Sequence, residues 1–278
     1  MIARFPKPDI VRPRSIVPRL PRRRAVTIAA GFSCAEGIVL CADSQETISG
    51  YVKSHRDKVQ VHLMAPNRAI AIAGAGIADY IETAISKLTN PYFEADSLAN
   101  VREIIENRLL SFFDNHLSRW SAFSEQERPT VELLIAVGVK EGCQLLHYSG
   151  TALHPVEMKA IGAGVLLADN LMLQYYSPYH TLEQLASELL YIMYTVKQRV
   201  DTCGGFTNLV MMKADGMVRY LNAERIARLE ESFAVIDRES AKTLLAKIHS
   251  LGLPAEEWHN REMIIAKSEL SQQEKSPG

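Results

Sequence analysis

From Val26 onward, apolar and polar positions alternate with a period of two, and the segments VTIAAGFS and GIVLCADS are separated by the short turn CAE. After a polar loop the same period returns in KVQVHLM and RAIAIAG, on either side of the turn signal Pro66-Asn67. Four such strands in succession predict one antiparallel sheet. The period then changes to that of a helix. GIADYIETAISKL carries Ile77, Tyr80, Ile81, Ala84 and Ile85 on one face, and SLANVREIIENRLLSFFDNHLSRW opens at a Ser97 cap. Strands resume with TVELLIAVGV and CQLLHYSG around the turn KEG, followed by VEMKAIG. A second helical pair comes next, GVLLADNLMLQYY and TLEQLASELLYIMYTVKQRV, the latter capped by Thr181. TNLVMMKADGMVRYL then closes on an Ala214-Asp215-Gly216 hairpin turn.

The order sheet, helix pair, sheet, helix pair, hairpin predicts an α+β fold. Two antiparallel sheets facing each other, each covered outside by helices, bury all of these faces in a four-layer αββα sandwich. This domain is expected over residues 25–223. Residues 224–278 are expected to add helices and a disordered polar tail, SELSQQEKSPG.

Composition changes the picture mainly at the N-terminus. The chain has 278 residues, 47% hydrophobic and 23% charged, with a net charge of -1. Residues 1–24 nevertheless hold eight of the 31 Lys and Arg against one acid, Asp9, together with Pro6, Pro8, Pro13, Pro18 and Pro21. Those prolines oppose both a helix and a ladder-paired strand, so the segment reads as a flexible basic extension and not as an amphipathic transit peptide. Its charge could bind phosphate, but Pro-rich basic tails are usually solvated, and nucleic acid is not an expected partner. No apolar run reaches membrane-helix length and no secretory h-region is present, which predicts a soluble, cytoplasmic protein. Cys34, Cys41, Cys143 and Cys203 show no CxxC spacing and mostly lie in apolar runs, the pattern of reduced core thiols. No metal site or cofactor is expected.

Glycine pairs precede two helices, in AIAGAGIAD (Gly74, Gly76) and AIGAGVLLAD (Gly162, Gly164). A dinucleotide fingerprint would need a third small position where Asp79 and Leu167 stand, and a βαβ crossover where the strands run antiparallel. Two readings remain for these glycines: a tight strand-to-helix turn, or a backbone N–H aimed at a developing negative charge. Asp43 ends a strand, Lys58 begins another after the polar loop, and both are expected at one edge of the first sheet, beneath Thr27. Such charges alone are usually solvated; a strand-leading Thr with an Asp, a Lys and a glycine turn converging on it suggests chemistry.

These segments together resemble a proteasome β-type subunit of the N-terminal-nucleophile hydrolase family. The spacing from Thr27 to GIVLCADS matches without a gap, and the similarity continues through TISGYVKSHRDKV, AIAGAGIAD, AIGAG and VDTCGG, about residues 25–221. The resemblance implies a threonine endopeptidase made as a precursor, with Thr27 as nucleophile once residues 1–26 are removed and its own α-amine as base. It further implies that Asp43 orients Lys58, that Lys58 eases deprotonation, and that the Gly74 N–H forms the oxyanion hole. Asp201 falls on a supporting acid, with Cys203 and Ala163 at neighbouring supporting positions. Thr47 falls where substrate backbone pairs, Gly76 at a further substrate-binding position, and Glu46, Arg56 and Ile72 where a specificity pocket forms. Peptide or unfolded-protein substrates, a homo-oligomeric ring and an ATP-dependent unfoldase are the implied partners.

Three departures stand against full activity. Ala163 replaces a serine near the threonine amine, Cys203 replaces another, and Val26 replaces the glycine whose freedom self-cleavage uses. If the Val26–Thr27 bond stays intact, the same fold is expected to serve as a non-catalytic ring subunit. A register with a two-residue bulge would place Ala25 at the catalytic position and leave the chain inactive.

Overall fold

The computed structural model describes residues 24–25, 27–48, 52–65, 67–90, 95, 97–123 and 128–250. The expected disordered tail and nearly all of the basic extension lie outside the described residues. Arg24 is the exception, because Arg24–Ala25 forms a short strand, β1, paired with another strand. The expectation that no ladder pairing occurs in the extension therefore fails at its last residue.

One sheet contains β2 (Ile28–Cys34), β3 (Gly37–Asp43), β11 (Met158–Gly162), β12 (Thr207–Lys213) and β13 (Val218–Tyr220), in the order β11-β2-β3-β12-β13. The other is built on β7 (Arg68–Ile77), β8 (Val131–Val139), β9 (Gly142–Ser149) and β10 (Ala152–Pro155), with β1 and β6 (Val59–Ala65) also pairing β7. The four leading strands thus do not form one sheet. Between them the polar loop folds into its own hairpin, β4 (Gln45–Ile48) with β5 (Val52–His55), which carries the chain from one sheet to the other. Its short, polar strands give no clear alternation, which is why the loop conceals it.

Alternation within β7 explains the layers. Ala69, Ala71, Ala73 and Ala75 face the opposite sheet, where they meet Ala29, Ile38, Leu40 and Ala42. Ile70 and Ile72 project to the other side, against α1 (Ala78–Thr89) and α2 (Leu98–Phe112), through Ile81, Ile85, Val101, Ile105 and Leu109. Small residues between the sheets allow their backbones to approach, while larger ones fill the sheet-to-helix space. On the far side, α4 (Leu182–Arg199) packs on β2, β3 and β12, and α3 (Val165–Tyr175) packs on α4 and β11. The result is the four-layer αββα sandwich.

Helix starts follow the sequence signals. Ser97 Oγ accepts from Asn100 N–H, and Thr181 and Gln184 form a reciprocal capping box. Beyond Phe112 the long second helix is not regular: residues Phe113–Leu117 form a π turn and Ser118–Ala122 a 3-10 turn. By contact density the chain divides into residues 1–226, which hold the sandwich, and 227–278, whose described part is the continuation of α5 (Ala223–Ser250). Any further helix of the C-terminal extension would fall outside the described residues.

Candidate functional site

Thr27 sits immediately before β2 and is 1% exposed. Its carbonyl accepts from the Ala163 N–H at 2.8 Å. Gly162 makes that contact possible: it has φ +100°, and a Cβ there would lie 1.9 Å from the Thr27 oxygen. A side chain at residue 162 is therefore excluded both by backbone conformation and by space. The Thr27 hydroxyl, in contrast, is buried with no hydrogen-bond partner among the described residues. An unsatisfied buried hydroxyl carries a desolvation cost of about 1–3 kcal/mol.

Asp43, at the end of β3, is fully buried and receives three donors. Ile28 N–H donates to Oδ1 at 3.2 Å, Gly204 N–H donates to Oδ2 at 2.9 Å, and Lys58 Nζ donates to Oδ1 at 2.7 Å. Lys58 also donates to the Gln45 carbonyl. The two charged residues belong to different sheets, since Asp43 ends a strand of one and Lys58 leads into β6 of the other, so the expectation of one shared sheet edge is replaced by a contact across the sandwich. Burial pushes the Asp43 carboxyl up from its ordinary value, against the opposing pull of Lys58 and of the Gly204 and Ile28 amides.

One cavity opens at Thr27, and a larger one lies beyond the Gly162–Ala163 turn that contacts it. The smaller, about 50 Å³, has Thr27, Lys58 and Gly74 on its walls, an apolar side of Ala78, Ile81 and Ile85, and a polar side of Glu46, Arg56 and Glu82. An Arg56–Glu82 ion pair forms part of that wall. The larger, about 760 Å³, runs from Gly162, Ala163 and Thr202 past Gly76 to Phe113, Leu117 and Trp120. The π and 3-10 turns after α2 supply those three bulky side chains, and Trp120 Nε1 donates to Tyr80 Oη on α1.

Thr27, Asp43, Lys58, Gly74, Glu46 and Arg56 are thus brought together. Gly76 lies on the larger cleft with φ +125°, where a Cβ would come within 2.0 Å of the Thr130 carbonyl oxygen. Thr47 pairs with Lys53 in the β4–β5 hairpin. Ile72 does not reach the smaller cavity; it is fully buried in the helix-side core. Asp201 is exposed, and it joins the site through its carbonyl, which accepts from Gln45 Nε2 at 3.4 Å. Cys203 is buried and its thiol is pushed up to about 11 by burial and by the Asp43 charge, so it stays a neutral thiol near neutral pH.

The sequence reading passed over Gln45 and Gly204. Gln45 supplies the carbonyl under Lys58 and the amide on Asp201, and its own N–H donates to the Gly204 carbonyl at 3.1 Å. Gly204, within the VDTCGG segment, holds the second Asp43 oxygen. Among the described residues no group of three or more His, Cys, Asp or Glu is arranged to hold a metal ion. None of the described helices is long and apolar enough to cross a membrane.

Residues 25–212 match the family described as proteasome subunit. A proteasome subunit beta from Archaeoglobus profundus is 24% identical over 210 residues, covering 74% of this chain and 93% of the archaeal one. Among solved structures, Anbu (ancestral beta-subunit) from Yersinia bercovieri superposes with a TM-score of 0.64 at 13% identity, over 79% of this chain and 96% of that one. The helical assembly of the Anbu complex from Pseudomonas aeruginosa gives 0.64 at 12% identity, over 82% and 98%. At such identities the structural likeness carries the fold.

Proposed function

The chain belongs to the proteasome subunit family, and from that premise we propose that it is a threonine-type peptide hydrolase that stays latent while the residues before Thr27 remain attached. The observation that carries this reading is the Thr27 hydroxyl, buried and unpartnered among the described residues, beside a cavity that Lys58 and Gly74 also line. Processing begins when the hydroxyl adds to the carbonyl of Val26. The C–N bond breaks, an ester forms, the α-amine of Thr27 is freed, and water hydrolyses the ester to a carboxylate and the original hydroxyl. In the mature chain that amine takes the hydroxyl proton, since an α-amine titrates at about 7.7 to 8.0 and a usable fraction of it is unprotonated near neutral pH. Asp43 fixes the Lys58 ammonium, whose positive charge favours the alkoxide. A Gly74 N–H on the developing oxyanion contributes about 3 to 4 kcal/mol.

The wider reading is a soluble cytoplasmic subunit of a self-assembled ring that takes peptides or unfolded protein, fed by an ATP-dependent unfoldase. The assembly named for the Pseudomonas relative supports self-association. A second reading, a non-catalytic ring subunit, is favoured by Ala163 in place of a serine and by Val26 before the nucleophile. Its structural support is β1, which keeps Arg24–Ala25 paired with β7.

Intact-mass analysis of the assembled protein separates the two. A species beginning at Thr27, with peptide hydrolysis that disappears in Thr27→Ala, is the expected result. A full-length chain in inactive assemblies would overturn the hydrolase and leave the scaffold.

A further inference from the structure

β10 is the last strand of the path β1-β7-β8-β9-β10, and its register on β9 sets His154 directly opposite His147. Residues that face each other across an antiparallel pair share a face and bring their Cβ atoms to within about 5.5 Å. By the alternation of β9 this is the face of Leu145, which packs toward the opposite sheet. His154 is exposed. His147 is half-buried, and its Nε2 is cut off from solvent with no hydrogen-bond partner among the described residues. A buried nitrogen of that kind carries a desolvation cost that a ligand at the site would relieve.

We propose that His147 and His154 form a two-imidazole chelate for a divalent transition-metal ion, with water completing the coordination on the exposed side. Imidazole nitrogen is a ligand that zinc, copper and nickel share, and it coordinates only as the neutral ring. Burial, then Lys159 and His154, pushes His147 below the ordinary imidazole value, with Asp169 pulling the other way. His147 therefore offers a lone pair at neutral pH. Lys159 on β11 is the cation that opposes a metal here, and Asp169 on α3 faces it at 4.0 Å and offsets its charge. Magnesium and calcium, which take oxygen ligands, are not expected to compete.

The place of the pair gives the ion a structural effect. β10 is a strand of 4 residues, and directly after it the chain crosses to β11 of the other sheet through Val156 and Glu157. Val156 N–H donates to the Leu145 carbonyl at 2.9 Å and Ser33 N–H to the Glu157 carbonyl at 2.7 Å, so hydrogen bonds tie the crossover to both sheets. A metal held by both histidines clips β10 to β9 just before that crossover. Because the ion binds the paired strands better than the separated ones, it stabilises the fold by mass action. The site uses none of the residues assigned to hydrolysis, so it stands or falls independently of that reading.

The experiment uses the untagged full chain with nickel(II) chloride as the probe, and compares it with His154→Ala, a change at an exposed position. The other histidines are common to both proteins, so the difference reports the pair. Isothermal titration above about pH 7, where imidazoles are mostly neutral, is expected to show nickel bound at least about ten-fold more tightly by the unmodified chain, because a single imidazole forfeits the chelate. The melting temperature of the unmodified chain should rise with nickel concentration, and that of His154→Ala should not. Equal affinity of the two proteins, or no binding by either at millimolar nickel, overturns the proposal. If the variant fails to fold, paramagnetic broadening in the unmodified chain decides. The ring protons of His147 and His154 are expected to broaden together at substoichiometric nickel; broadening of one without the other, or of neither, overturns the chelate.

Discussion

Arg56 and Lys58 stand two residues apart, line the same small cavity, and each pairs with one carboxylate, yet their surroundings differ completely. Lys58 is 10% exposed and its partner Asp43 has no exposed surface. Arg56 and Glu82 are each 47% exposed. In the buried pair, desolvation works against both charges, and geometry must recover the cost through Ile28, Gly204 and Gln45. The exposed pair keeps its water and gains little from closing. The first is an all-or-none element of the site, and the second is a tunable part of its wall.

Removing one side of the buried pair is the strongest way to break this contrast. Asp43→Ala is expected to cost about 3 to 5 kcal/mol, because it leaves an ammonium and two buried N–H groups without their acceptor. Chemical denaturation measures this. The double variant Asp43→Leu with Lys58→Met should lose less than Asp43→Ala alone, since it removes both charges at once; a larger loss would mean that the pair is a net source of stability.

Acid titration sharpens the comparison at intermediate scale. Because burial raises the Asp43 carboxyl above 3.8, the folded chain binds that proton more readily than the unfolded chain. The contribution of Asp43 to stability is then largest at low pH, falls as pH rises from 3.8 through the raised folded value, and is level above it. The stability of the unmodified chain relative to Asp43→Asn, followed by thermal melts across the acid range, should decline with rising pH. A relative stability that grows instead would show that Lys58 outweighs burial.

The smallest effect belongs to the exposed pair. Arg56→Ala should change stability by less than about 1 kcal/mol. It leaves Glu46 and Glu82 on the cavity wall without their basic neighbour, so cleavage of a peptide library by the processed chain should shift toward basic side chains by several-fold. An unchanged preference would remove Arg56 and Glu82 from specificity.

Much of the fold was readable without coordinates. Alternating Ala and Ile in RAIAIAG, the Ser97 and Thr181 caps and the Ala214-Asp215-Gly216 turn are local signals, because strand period, capping and turn geometry depend on residues a few positions apart. The β4–β5 hairpin was not readable, since its strands are short and polar. The division of the first four strands between two sheets was hidden for a related reason: period two reports that a segment is a strand and which face is apolar, but not which strand it pairs with.

The candidate site shows the same limit more sharply. By itself the sequence determined the residue types, their order and the glycines, and through them a resemblance that drew Thr27, Asp43, Lys58 and Gly74 into one group. Only the tertiary structure decided that Lys58 reaches Asp43 across the sandwich, that Gly162 must be bare because the Thr27 carbonyl lies against it, and that Gln45 and Gly204 complete the cage. It also decided that Ile72 belongs to the core and that Arg24–Ala25 closes the edge of β7. The reason is physical: a side chain's chemistry travels with its residue, whereas burial, hydrogen-bond partners and strand neighbours arise from segments far apart in the chain meeting in space.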